Sequence, residues 1–142
     1  MKINFGLVGC GNIGKKRAIS LLNNKIANLK IIIGPQKKTT PCHGLALSKK
    51  YKLKYSNSLE DIFHENLDAV IVSVPSKFVF NIVKKLIKKK INVLVEKPLG
   101  TNLRQAKILT DLSKKYRVIL KTGFNLRFDD GIIKLKSFLK KK

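Results

Sequence analysis

Residues 3–24 read INFGLVGCGNIGKKRAISLLNN, and this stretch decides the fold. Ile3 to Val8 is a short apolar run that ends in glycines. Gly9 to Gly14 then spell G-x-G-x-x-G, and Ile13 to Asn24 carries Ile13, Ala18, Ile19, Leu21 and Leu22 at helical intervals. A glycine-rich turn directly between a strand and a helix is the context in which this pattern carries chemistry. Gly9 permits the tight turn, Gly11 lets the backbone approach a pyrophosphate, and Gly14 lets the helix pack close to the strand. The N–H groups at the helix start then face the phosphates of a dinucleotide. The alternative reading is a glycine-rich turn without a ligand.

The same alternation continues outward. Leu29 to Ile33 is β-branched and stops at Gly34-Pro35, which reads as strand then turn. His43 to Tyr51 is a predicted helix, and Ser58 with Asp61 three residues later reads as a capping box. Ala69 to Val74 is a strand closed by Pro75. Lys77 to Lys90 is a helix with Phe78, Ile82, Val83, Leu86 and Ile87 inward and lysines outward. Asn92 to Val95 is the next strand, and Thr101 caps a helix to Tyr116 with Leu103, Ala106, Leu109 and Leu112 inward. Val118 to Thr122 is counted as the sixth strand, and Gly131 to Lys140 is a last amphipathic segment. Nearly continuous apolar strands separated by helices predict a parallel sheet covered on both faces. The fold expected is therefore α/β, a doubly wound parallel sheet of Rossmann type with about six strands in a single domain.

Two further groups carry chemistry. About 20 residues past the glycines such folds place an acid on the adenine ribose. Here the strand end offers Gln36, Lys37 and Lys38 instead, which favours NADP over NAD, unless these are simply two more lysines in a lysine-rich chain. Glu96-Lys97-Pro98 follows the strand Asn92–Val95, at the carboxyl edge where parallel sheets hold substrates. A lysine there can hydrogen-bond a substrate hydroxyl or shuttle its proton; an exposed pair at a turn is the competing reading.

GLVGCGNIG at 6–14, LDAVIVSVPS at 67–76, NVLVEKPLG at 92–100 and GFNLRF at 123–128 together resemble the N-terminal half of the Gfo/Idh/MocA oxidoreductases, the glucose–fructose oxidoreductase and inositol dehydrogenase family. The resemblance implies that NAD or NADP is bound and that a sugar, cyclitol or sugar-nucleotide carbon is oxidised or reduced. It assigns Gly9, Gly11, Asn12, Ile13 and Gly14 to the pyrophosphate, and Ser73 and Pro75 to the ribose–nicotinamide side. It places Glu96 on the nicotinamide ribose, Lys97 as the catalytic lysine facing substrate, and Asn125 and Arg127 near the nicotinamide. Two departures stand out. The family pattern T-P-N-x-x-H is VPSKFV here, with Ser76 and Val79 replacing Asn and His. Members also run to about twice this length, so residues 1–124 are expected to be the cofactor domain. Residues 125–142 would then begin the path to a C-terminal substrate domain that this chain lacks, and the chain alone is expected to turn over sugars weakly or not at all. Its apolar last segment would be exposed or buried in a homo-oligomer or against a separate partner chain. His43 and His64 are read as surface residues.

Composition bounds the alternatives. The 142 residues are 44% hydrophobic and 27% charged, a globular balance. No apolar run approaches the roughly 20 residues that cross a bilayer. Cys10 and Cys42 fit neither metal spacing nor a disulfide framework, so no metal is expected and a reducing cytoplasm is the expected home. The net charge of +23 is almost all lysine. It predicts weak, salt-sensitive association with nucleic acid, and a basic nucleic-acid-associating protein or a non-catalytic interaction module is the rival class. Abundant Lys, Ile and Asn together also fit AT-rich codon usage.

Overall fold

Apolar runs form the four central strands of a single six-stranded parallel sheet, and short, partly exposed strands form its two edges: β1 (Ile3–Val8), β2 (Ala27–Ile33), β3 (Lys54–Ser56), β4 (Ala69–Val72), β5 (Asn92–Val95) and β6 (Leu120–Thr122), in the order β3-β2-β1-β4-β5-β6. The computed structural model describes residues 2–35 and 43–139. Five helices accompany the sheet: α1 (Asn12–Leu22), α2 (Gly44–Tyr51), α3 (Ser76–Lys88), α4 (Leu103–Tyr116) and α5 (Asp130–Leu139). Strand order reverses between β1 and β4, so the chain winds one way from β1 to β3 and the other way from β4 to β6. That reversal opens a crevice beyond the carboxyl ends of the strands.

Alternation along each strand feeds two cores. Val8, Val70, Val72, Val93 and Val95 face α3 and α4, whose Val79, Val83, Leu86, Ile87 and Leu109 are buried against them. Leu7, Leu29, Ile32 and Ile71 face the other way and pack with Ala18 of α1 and Leu47 of α2. The pairing of β1 with β2 shifts at Phe5/Gly6, where Lys30 is passed over. That single bulge residue lets Leu29 and Ile32, three apart, share one face while Lys30 stays in solvent.

Several local expectations change. β3 is the strand that no apolar run announced; it is three residues long, lies at the sheet edge and pairs with β2 alone. Its Lys54 is held by Glu65 at 2.6 Å, and this hydrogen bond, followed by the charge attraction, raises the lysine above its ordinary range. Ser58 does cap the 3-10 turn Leu59–His64, accepting from the Glu60 N–H at 3.3 Å, but Asp61 takes the Ser56 hydroxyl instead of closing a box. Phe78 and Leu103 are exposed rather than inward, and Val79 takes the core position on α3.

The cap of α4 is Asn102, not Thr101. The Asn102 Oδ1 accepts from the Gln105 N–H at 3.0 Å, and the Gln105 side chain reaches back to accept from the Thr101 N–H at 3.0 Å. Asn102→Ala is expected to cost about 1 kcal/mol. Thr101→Ala, which keeps its backbone donor, should cost clearly less. Urea unfolding of the two variants checks the order, and an equal loss would return the cap to Thr101.

Candidate cofactor site

Register assembles the site. Val8, Val72 and Val95 stand in line across β1, β4 and β5, and Thr122 of β6 pairs with Val95. The next residue on each strand is therefore Gly9, Ser73, Glu96 and Gly123, one row along the carboxyl edge. Each of these backbone N–H groups donates to the neighbouring strand: Gly9 to Ile33 O (2.8 Å), Ser73 to Val8 O (2.7 Å), Glu96 to Val72 O (2.9 Å) and Gly123 to Val95 O (2.8 Å). The row is thus rigidly held by the sheet itself.

Gly9 and Gly14 meet the steric demands placed on them. Gly9 has φ +86°, a backbone that favours glycine, and a Cβ there would stand 2.3 Å from the Ser73 carbonyl oxygen. A Cβ on Gly14 would stand 2.2 Å from the Gly9 carbonyl oxygen, so α1 rests directly on the end of β1. Gly11 precedes the helix and has no side chain to cap it. The first N–H groups of α1 are accordingly available to an external acceptor.

In front of this turn lies a cleft of about 590 Å³. It is lined by Gly11, Asn12 and Ile13 of the glycine turn, by Ser73 and Val74 after β4, by Glu96 and Lys97 after β5, and by Gly123 to Leu126 after β6. Seven of the residues singled out in the sequence therefore converge: Gly11, Asn12, Ile13, Ser73, Glu96, Lys97 and Asn125. Gly9 and Gly14 shape the turn from behind. Pro75 is exposed at the start of α3, outside the cleft. Arg127 lies over the Phe128 ring at 5.6 Å and does not line the cleft. Lys37 and Lys38 lie outside the described residues.

Lys97 is exposed, whereas the Glu96 side chain is only 15% exposed and tied to Arg17 of α1. The Arg17 Nε and Nη2 both approach Glu96 Oε1 at 2.6 Å, and Nη2 also donates to Asn125 Oδ1. Sequence reading overlooked Arg17, since a basic residue among 31 gives no signal until its partners are seen. His43 is half-buried beside the glycine loop, with its ring Nε2 3.2 Å from Asn12 Oδ1 and its backbone N–H donating to Cys10 O. His64 is exposed. Val79, where the family pattern has His, is 2% exposed and serves the core. Among the described residues, no cluster of three metal-ligating side chains occurs and no helix is long and apolar enough to cross a membrane.

Comparison with known proteins agrees with this fold. Myo-inositol 2-dehydrogenase of Thermotoga maritima is 32% identical over 136 residues, which are 94% of this chain and 40% of that protein. The crystal structure of myo-inositol 2-dehydrogenase from Lactobacillus plantarum superposes with a TM-score of 0.88 at 20% identity, over 99% of this chain and 42% of the other. GenD2 from gentamicin A biosynthesis, solved in complex with NAD, superposes with a TM-score of 0.81 at 23% identity, over 88% and 35%. The chain thus spans about 40% of the length of such relatives. The model of the oxidoreductase family with an NAD-binding Rossmann fold matches residues 3–124. This chain belongs to the Gfo/Idh/MocA oxidoreductase family, and its six-stranded sheet is that family's NAD-binding domain.

Proposed function

We propose that the cleft in front of Gly11 binds a nicotinamide dinucleotide for hydride transfer to or from a sugar- or cyclitol-like carbon, in an enzyme whose substrate pocket needs more than these residues. The observation that carries this reading is the convergence of an uncapped helix start, Glu96 and Lys97 on one cleft. When bound, the nicotinamide supplies or accepts the hydride. The backbone at Gly11, Asn12 and Ile13 holds the pyrophosphate, with a dipole contribution of about 0.3–1 kcal/mol. Glu96 accepts from hydroxyls of the nicotinamide ribose, and Asn125 lies beside it. Lys97, exposed at the cleft, hydrogen-bonds the substrate hydroxyl and moves its proton. Ser73 lines the nicotinamide side, with Pro75 and Arg127 as outer neighbours. Lys37 and Lys38 favour NADP through its 2′-phosphate. Turnover by this chain alone is weak or absent, because a substrate held in place supplies much of the rate. The inositol dehydrogenases among its relatives support a polyol-like substrate.

A fluorescence titration with NADPH and NADH at low and moderate salt tests the reading. Saturable binding should survive moderate salt, with NADPH preferred, and Gly11→Val should weaken it about tenfold or more by filling the space of the phosphates. Binding that vanishes with salt and ignores Gly11→Val would mean that the +23 charge alone attracts phosphate. Association with nucleic acid would then become the better reading.

A further inference from the structure

We infer that Arg17 is the positioning residue that aims Glu96 at the ribose of the nicotinamide half, an assignment that rests on the cofactor reading above. Arg17 stands three residues after Gly14 on α1, on the same buried stripe. Helical side chains lean back toward the N-terminus, so its guanidinium is carried to the carboxyl edge of the sheet, where Glu96 and Asn125 lie. There it joins three separate elements: the helix of the glycine loop, the end of β5 and the 3-10 turn Asn125–Phe128.

The geometry is specific to this residue type. Nε and Nη2 both reach Glu96 Oε1 at 2.6 Å while Nη2 also serves Asn125. A planar fork can do this; the point charge of a lysine cannot hold both partners in one plane. The chain uses lysine for nearly all its positive charge, with arginine at only four of 31 basic positions, and one of these four is position 17. Gly123 leaves the room: a Cβ there would stand 3.2 Å from both Glu96 carboxylate oxygens and 3.3 Å from Arg17 Nη2. Side-chain exposures of 24% and 15% remove much of the solvent that would loosen the pair. Because both contacts from Arg17 fall on Oε1, the Oε2 atom is the one assigned to the ribose hydroxyls.

The test compares ADP, which lacks the second ribose, with ADP-ribose, which carries it, by calorimetry at moderate salt. The wild-type chain should bind ADP-ribose more tightly than ADP. Arg17→Met should weaken ADP-ribose about tenfold and leave ADP unchanged. Glu96→Gln should do the same, and the Arg17→Met/Glu96→Gln double variant should add nothing further. Arg17→Lys should reduce the ratio of the two affinities partway, and it carries the test by itself if Arg17→Met does not fold. An unchanged ratio in either Arg17 variant would overturn the inference, as would an equal loss of ADP and ADP-ribose. If the wild-type chain binds neither ADP-ribose nor NADH, the cofactor reading fails and this inference falls with it. A wild type that binds both while Arg17 proves indifferent leaves the cofactor reading standing.

Discussion

Replacing Gly14 by alanine is expected to destabilise this protein by about 3 kcal/mol or more, an effect usually reserved for gutted cores. The added Cβ would stand 2.2 Å from the Gly9 carbonyl oxygen and 3.0 Å from its carbonyl carbon, and both atoms are backbone. No rotamer change relieves such a collision. Moving Gly9 is also closed, because Gly9 at φ +86° lies against the Ser73 backbone, whose N–H is bonded to Val8. The whole of α1 must therefore lift from the sheet, opening the packing of Ala18 against Leu7 and Ile71. Denaturant unfolding followed by circular dichroism measures the loss. Gly11→Val is the informative partner, since Gly11 faces the cleft rather than β1, so it should lose cofactor affinity while keeping most of the stability. A Gly14→Ala protein within 1 kcal/mol of wild type would show that α1 does not rest on the β1 end as described.

That contrast also shows how much could be read from residues alone. The glycine spacing named the turn because each glycine answers a separate steric demand, and those demands are local. Strands β1, β2, β4 and β5 were legible because burial on both faces leaves nearly continuous apolar runs, and the edge strand β6 because Val118, Ile119 and Leu120 lead into it although its Lys121 is exposed. β3 was not, because Lys54-Tyr55-Ser56 is short, at the edge and ordered by pairing with β2. Nor was the inward face of α3 and α4 at its start, where Val79 rather than Phe78 turns to the core and Leu103 is left in water. The cap moved from Thr101 to Asn102 by a single residue, within the usual indeterminacy of helix ends.

The site divides in the same way. Glu96 and Lys97 were visible because a charged pair directly after an apolar strand falls at the carboxyl edge of a parallel sheet. Arg17 was invisible because its role depends on partners 79 and 108 residues away. Register explains why those partners meet: one row of strand ends carries Glu96 and Gly123 side by side, and the helix after Gly14 leans over it. Val79 shows the converse. A motif position that carries histidine in the family points into the core here, so a valine satisfies the fold while the cleft keeps Ser73, Val74 and Lys97.

Leu86→Ala should cost about 3 kcal/mol, whereas Phe138→Ser, which removes a larger apolar side chain, should change stability by less than about 0.5 kcal/mol. Leu86 is 0% exposed in the core between α3, α4 and the sheet, so its loss leaves a cavity that rigid strands cannot close. Phe138 is 70% exposed on α5, which packs against the Asn125–Phe128 turn and buries none of its own residues. At roughly 3 °C per kcal/mol for a chain of this size, Leu86→Ala should melt about 10 °C below wild type and Phe138→Ser at nearly the wild-type temperature. Hydrogen exchange should report the same division, with α3 amides protected to near the global stability and α5 amides exchanging early. Comparable losses in the two variants, or slow exchange throughout α5 in a monomer, would mean that the apolar face of Ile132, Leu135 and Phe138 is buried in solution.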